Sequence, residues 1–150
     1  MDSVEPKKKR SALSFLLWWK TDPVEVQKQV AQYMTLKPWQ SARGISMLLC
    51  LFSVVVTALL GSRMELSQET IIAESIIWST LGLFMYRGHR WAFLVGMVLW
   101  TLAKGTLLLG GVAIGAAPIV QIIWWAIYLS AFYLGFTVEN ARRAPRLAPV

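Results

Sequence analysis

The feature that most constrains this chain is the length of its stretches without charge. Residues 44–61 and 117–138 contain no Asp, Glu, Lys or Arg, residues 70–86 contain only Glu74, and residues 91–110 contain only Lys104. A bilayer core of about 30 Å takes about 20 helical residues to cross. These four stretches have that length or come close to it. Of the whole chain, 56% is hydrophobic and 15% charged, where a soluble domain carries about a quarter charged residues. The expected fold class is therefore an all-α membrane protein: a four-span transmembrane helix bundle over residues 41–138, with spans at about 44–61, 70–86, 91–110 and 117–138. Ahead of it residues 11–40 form a cytoplasmic interfacial and amphipathic helical region. Residues 1–10 read as a disordered basic tail and 139–150 as a second basic tail.

Orientation follows from the cations. Of the fifteen Lys and Arg, all but Arg63 and Lys104 precede the first span, lie in the connector Arg87-Gly88-His89-Arg90, or follow the fourth span. Four antiparallel spans put those three regions on one side, and the positive-inside rule makes it the cytoplasmic side. Both termini are expected there. The short connectors, 62–69, 87–90 and 111–116, make sequential spans antiparallel neighbours. The net charge of +7 is thereby explained without nucleic acid.

The N-terminal region has two parts. Ala12 to Trp19 is apolar, too short to span and flanked by Arg10 and Lys20. It lacks a small-residue cleavage site and reads as part of the mature protein. Lys7, Lys8, Lys9, Arg10, Trp18, Trp19 and Lys20 form a membrane-surface set. The cations attract anionic lipid headgroups, and the indoles favour the interface. Next, Asp22-Pro23-Val24-Glu25 carries a capping residue, a first-turn proline and a capping-box carboxylate. Val26, Val30, Tyr33 and Met34 follow on one stripe. An amphipathic helix over 22–36 is expected, lying on the cytoplasmic surface or packed on a partner.

Ionisable groups within a membrane are costly and point to function by default. Glu74 lies about 6 Å and Lys104 about 9 Å from the outer ends of their spans at 1.5 Å per residue, and Gln121 about 6 Å. The three share one level and are expected to form a polar cluster, with Glu74 paired to Lys104 and Gln121 completing the hydrogen bonds. Trp78, Trp100, Thr101, Trp124 and Trp125 lie one turn from these residues and could wall a pocket. The plainer account is a pair that locks helices together. Ser46, Cys50, Ser53 and Thr57 share one small, weakly polar face of the first span, which suits close helix packing. His89 has no companion ligands, Glu65 and Glu69 read as solvated loop residues, and no metal site, cofactor site or catalytic set is visible.

The turn Gly88-His89-Arg90-Trp91-Ala92 resembles the central turn of small bacterial four-span membrane proteins, in which a basic residue and Trp-Ala follow the turn. That resemblance implies a bacterial inner (plasma) membrane. It assigns no family, and the first span lacks the acid on which small multidrug transporters depend. The expected function is non-enzymatic: an accessory or regulatory subunit that meets a protein partner or further copies of itself in the bilayer. Two rivals stand beside it. One is a small oligomeric transporter or channel using Glu74 and Lys104. The other is a lipid-binding or membrane-shaping protein acting through its basic, Trp-rich N-terminus.

Overall fold

The computed structural model describes residues 20–61, 67–109 and 117–144. Lys7, Lys8, Lys9, Arg10, Trp18 and Trp19 lie outside them, as do Arg63 and Glu65. Among the described residues there are five helices and no strand: α1 (Pro23–Ala31), α2 (Ala42–Leu60), α3 (Gln68–Tyr86), α4 (Arg90–Leu109) and α5 (Ala117–Arg143). Two helices, Ala42–Leu60 and Pro118–Arg143, are long and apolar enough to cross a membrane.

Helix starts follow their capping side chains. Asp22 accepts from Val24 N at 3.0 Å, with Pro23 next. Ser41 accepts from Gly44 N, and Ser67 from Thr70 N, each at 3.2 Å. These bonds satisfy amide groups that have no partner within the helix. The first amide of α2 is met from outside: Ala42 N donates to the Gln29 side chain of α1 at 2.9 Å. The α3–α4 connector ends α3 in a Schellman motif. Gly88 has φ +78°, Gly88 N donates to Met85 O, and His89 N donates to Phe84 O, both at 3.0 Å. The His89 ring packs on Phe84 at 5.3 Å, the side-chain contact that accompanies this cap.

The long helices pack in antiparallel neighbours. Gly82 of α3 lies against Cys50 and Met47 of α2, and Gly61 lies against Ile71. Gly96 of α4 meets Met85 of α3, and Gly135 of α5 meets Phe93 of α4. Ser46 and Ser53 of α2 bond to Ala131 and Tyr128 of α5. A continuous core results, built on Cys50, Trp78, Met85, Phe93, Tyr128 and Phe132. Meanwhile large apolar side chains point outward from all four helices, among them Leu59 (67% exposed), Ile76 (60%), Val98 (58%) and Ile119 (68%).

Two boundaries differ from expectation. The first helix stops at Ala31 rather than 36, and 32–36 form turns bonded to Gln32 and Lys28 carbonyls. Stopping there lets Tyr33 turn back toward α5, while Met34 is left 85% exposed instead of completing the stripe. Val26, Val30 and Tyr33 do face inward, but onto Val138 and Leu134 of this same chain. The fourth long helix runs five residues past 138, to Arg143. Backbone hydrogen bonding continues through the change from apolar to charged sequence.

Candidate functional site

The polar residues expected at one level within the helices are placed as follows. Glu74 is half-buried and accepts from the Thr57 hydroxyl of α2 at 3.3 Å. Lys104 is half-buried, with its Nζ 4.6 Å from the centre of the Trp100 ring. The ion pairs within 4.0 Å among the described residues all involve Glu139, so Glu74 and Lys104 do not meet directly. Gln121 is half-buried, and its Oε1 is buried without a hydrogen-bond partner. Glu74 and Lys104 are therefore each held by a separate neighbour: a hydroxyl for the carboxylate and an aromatic face for the ammonium.

The residues expected as pocket walls pack into a column. Trp100 stacks on Tyr128 with ring centres 3.9 Å apart and planes 11° apart. Trp78 sets its edge on Trp100 at 5.5 Å, and Trp124 sets its edge on Tyr128 at 5.9 Å. Trp125 Nε1 donates to Thr101 Oγ1 at 3.2 Å, joining α5 to α4. The Tyr128 hydroxyl donates to Leu49 O at 2.9 Å and lies 2.8 Å from Ser53 Oγ. The small polar face of α2 thus points inward: Ser46 and Ser53 to α5, Cys50 to Met85, and Thr57 to Glu74.

A second cluster lies at the end where α1, the α3–α4 turn and the end of α5 come together. Glu139 is 1% exposed. It accepts from the Tyr33 hydroxyl and, through Oε2, from Arg142 Nε and Nη2 at 3.1 and 2.9 Å. Arg143 Nε stands 4.0 Å from the same oxygen, and Arg143 Nη2 donates to Gly88 O at 2.9 Å. Two guanidiniums lie over the Tyr33 ring, Arg43 at 4.2 Å and Arg142 at 4.4 Å. Arg43 also donates to Tyr33 O at 3.1 Å. Burial, followed by the hydrogen bond to Glu139, raises the Tyr33 hydroxyl above its ordinary value of 10.0, with Arg43 and Arg142 opposing. Gly88 is required here twice over. Its φ suits glycine, and a Cβ there would sit 2.7 Å from the Tyr33 hydroxyl and 2.8 Å from Glu139.

Sequence reasoning put Glu139 at the start of a basic tail and missed this cluster. The available signal was local: Glu139 has arginines at i+3 and i+4, the spacing at which charges meet on a helix. The tertiary partners, Tyr33 and Gly88, carry no such spacing. Among the described residues no group of three His, Cys, Asp or Glu is placed to hold a metal ion. Chemically, the cluster binds one buried carboxylate with arginine and phenol donors, and clamps α1 and the α3–α4 turn onto α5.

Comparisons with protein families, with curated proteins and with solved structures find no match to this chain.

Proposed function

We propose that this chain is a four-span integral membrane protein that serves as a non-enzymatic accessory or regulatory subunit of a larger membrane complex. The observation that carries the reading is the apolar outer surface. Isoleucine, leucine and valine face outward along α2 to α5, around a core that is itself largely apolar and aromatic. In water such faces would form an apolar surface far larger than the few hundred Å² a soluble monomer exposes. In a bilayer they meet lipid tails or neighbouring helices. Every described Lys and Arg except Lys104 belongs to α1, its flanks, the start of α2, the α3–α4 turn or the end of α5. That distribution supports a cytoplasmic placement of this end and of both termini. The Gly88–Ala92 resemblance supports a bacterial inner membrane.

The subunit reading is supported by the filled interior. Stacked Trp100 and Tyr128, with Trp78 and Phe132 against them, occupy the place a conduction path would need. This weighs against the transporter or channel reading of Glu74 and Lys104, as does their lack of direct contact. Contact with anionic lipid through Lys7–Arg10, Trp18 and Trp19 stays a companion proposal for the N-terminus.

The test has two arms. Membranes from the native source are washed with alkaline carbonate, and the chain should stay in the pellet; release into the wash would end the membrane reading. The retained protein is then crosslinked and purified in gentle detergent, and a defined partner should accompany it. A chain that is monodisperse alone and captures nothing on crosslinking would leave the span assignment intact and sink the subunit role.

A further inference from the structure

We infer that the groove between the start of α4 and the end of α5 binds the phosphate headgroup of an anionic phospholipid, with the first part of an acyl chain along its apolar half. The inference rests on the membrane reading above but not on the subunit role. The groove has a volume of about 450 Å³ and is lined at its polar end by Arg90, Asn140 and Arg143, and at its apolar end by Trp91, Leu94 and Phe136.

The polar end has donors to spare. Arg90 is exposed and uses Nη1 on Asn140 Oδ1 at 3.0 Å. The Arg143 side chain is 44% exposed and uses Nη2 on Gly88 O at 2.9 Å. A guanidinium carries five N–H donors in a planar fork, so both arginines keep donors for phosphate oxygens. Their existing bonds hold them in place, which lowers the ordering cost of taking up a ligand. Nor is their charge cancelled as a set. Glu139, the acid of this cluster, is engaged by Arg142 through two nitrogens and lies 4.0 Å from Arg143 Nε, so one carboxylate is set against two arginines before Arg90 is counted. Arg90 and Arg143 therefore present positive charge to the groove.

The apolar end continues in the direction a lipid tail would take. Trp91 and Leu94 lie one turn apart on α4 and are 47% and 45% exposed. Trp91 is braced from behind by Phe84, ring centres 5.0 Å apart. A free phosphate would use the arginines and leave this surface uncovered. A phospholipid satisfies both ends. Basic pockets between transmembrane helices on the cytoplasmic side take anionic headgroups on the same physical grounds, and an indole at that level suits the boundary between headgroup and chain.

The test uses the full chain in neutral detergent, titrated with dioleoyl phosphatidylglycerol or with dioleoyl phosphatidylcholine and read by native mass spectrometry. The anionic lipid should bind in preference. Arg90→Gln with Arg143→Gln should weaken it about thirtyfold, from about 1 kcal/mol for each cation near an anionic surface. The zwitterionic lipid should be unaffected, as should both lipids in Lys28→Gln. Inorganic phosphate should not displace the lipid. Equal binding of the two lipids, undiminished binding in a folded double variant, or full displacement by phosphate would each overturn the proposal. If the double variant does not fold, wild-type protein with a phosphatidylglycerol bearing a diazirine on its acyl chain decides. Labelling should concentrate at Trp91, Leu94 and Phe136, and labelling spread evenly over α2 to α5 would reject the groove. Carbonate-resistant protein without lipid preference removes only this inference, whereas carbonate-released protein removes the membrane reading beneath it.

Discussion

A carboxylate near the C-terminal end of a helix lies toward the negative end of the helix dipole, so Glu139, four residues before the end of α5, sits where an acid is unwelcome. Arg142, Arg143 and Tyr33 compensate it, and that makes Tyr33 sensitive to pH. Its hydroxyl is raised above 10.0 in the fold. The protonated phenol is thus the favoured form, and its contribution is complete below about pH 10, the unfolded value. The contribution is lost as pH rises through the raised folded value, where a phenolate would face Glu139. Thermal melts from about pH 8 to 11.5 should show wild type losing stability relative to Tyr33→Phe above 10, and parallel curves would refute the link. A second prediction concerns the charges within the helices. Since Glu74 rests on Thr57 and Lys104 on Trp100, a double-mutant cycle with Glu74→Gln and Lys104→Met should give a coupling below about 1 kcal/mol. A coupling above about 2 kcal/mol would show a direct pair. The sequence made these two residues legible because charge is rare in an apolar run. It hid their partners, because a threonine and a tryptophan in such a run are unremarkable and helix rotation is not encoded by spacing to the helix end.

Helix identity was the most legible level. The cap at Asp22, the Gly88 turn and the long apolar stretches mark all five helices, since these signals are local. Of the two boundaries that differ, the stop at Ala31 goes with the Tyr33–Glu139 contact, which joins residues distant in sequence, and the run to Arg143 continues the backbone bonding of α5. The α3–α4 turn belongs to the same system. Gly88→Ala should destabilise the chain by about 1–2 kcal/mol from left-handed backbone strain alone. Displacement of Tyr33 and Glu139 by the new Cβ should add to that. Unfolding in a mixed-detergent titration measures it. Gly88→Ala in a Tyr33→Phe background should cost less, because the nearest of the crowded atoms is gone. Equal costs in both backgrounds would mean that the turn and α1 are not coupled. The close meeting of Gly135 with Phe93, whose Cζ would lie 2.9 Å from an added Cβ, sets the α4–α5 spacing in the same way. Gly135 is one of several small residues in its apolar stretch, and nothing in that stretch says which helix approaches it.

At the scale of the whole molecule, the arrangement is set by close packing of small and aromatic side chains inside, with branched aliphatics outside, and α2 shows it most plainly. Ser46, Cys50, Ser53 and Thr57 turned inward as expected, because small side chains allow backbones to approach and interior hydroxyls find carbonyl or phenol partners. The tryptophans divide by the same rule, and the division can be read optically. Trp100 is 7% exposed and stacked on Tyr128, whereas Trp124 is 37% exposed and touches Phe52 on the outer surface. Trp124 lies seven residues from the start of α5, about 10 Å along the axis, within reach of the middle of an acyl chain. In vesicles of lipids brominated at mid-chain, fluorescence of the wild-type chain should be quenched. Trp124→Phe should remove a large part of that quenching, and Trp100→Phe little of it. The contrast follows from burial alone, since both indoles occupy apolar stretches of similar composition. Equal losses in the two variants would mean that the aromatic column is open to lipid, and no quenching in either would mean that these faces never meet a bilayer.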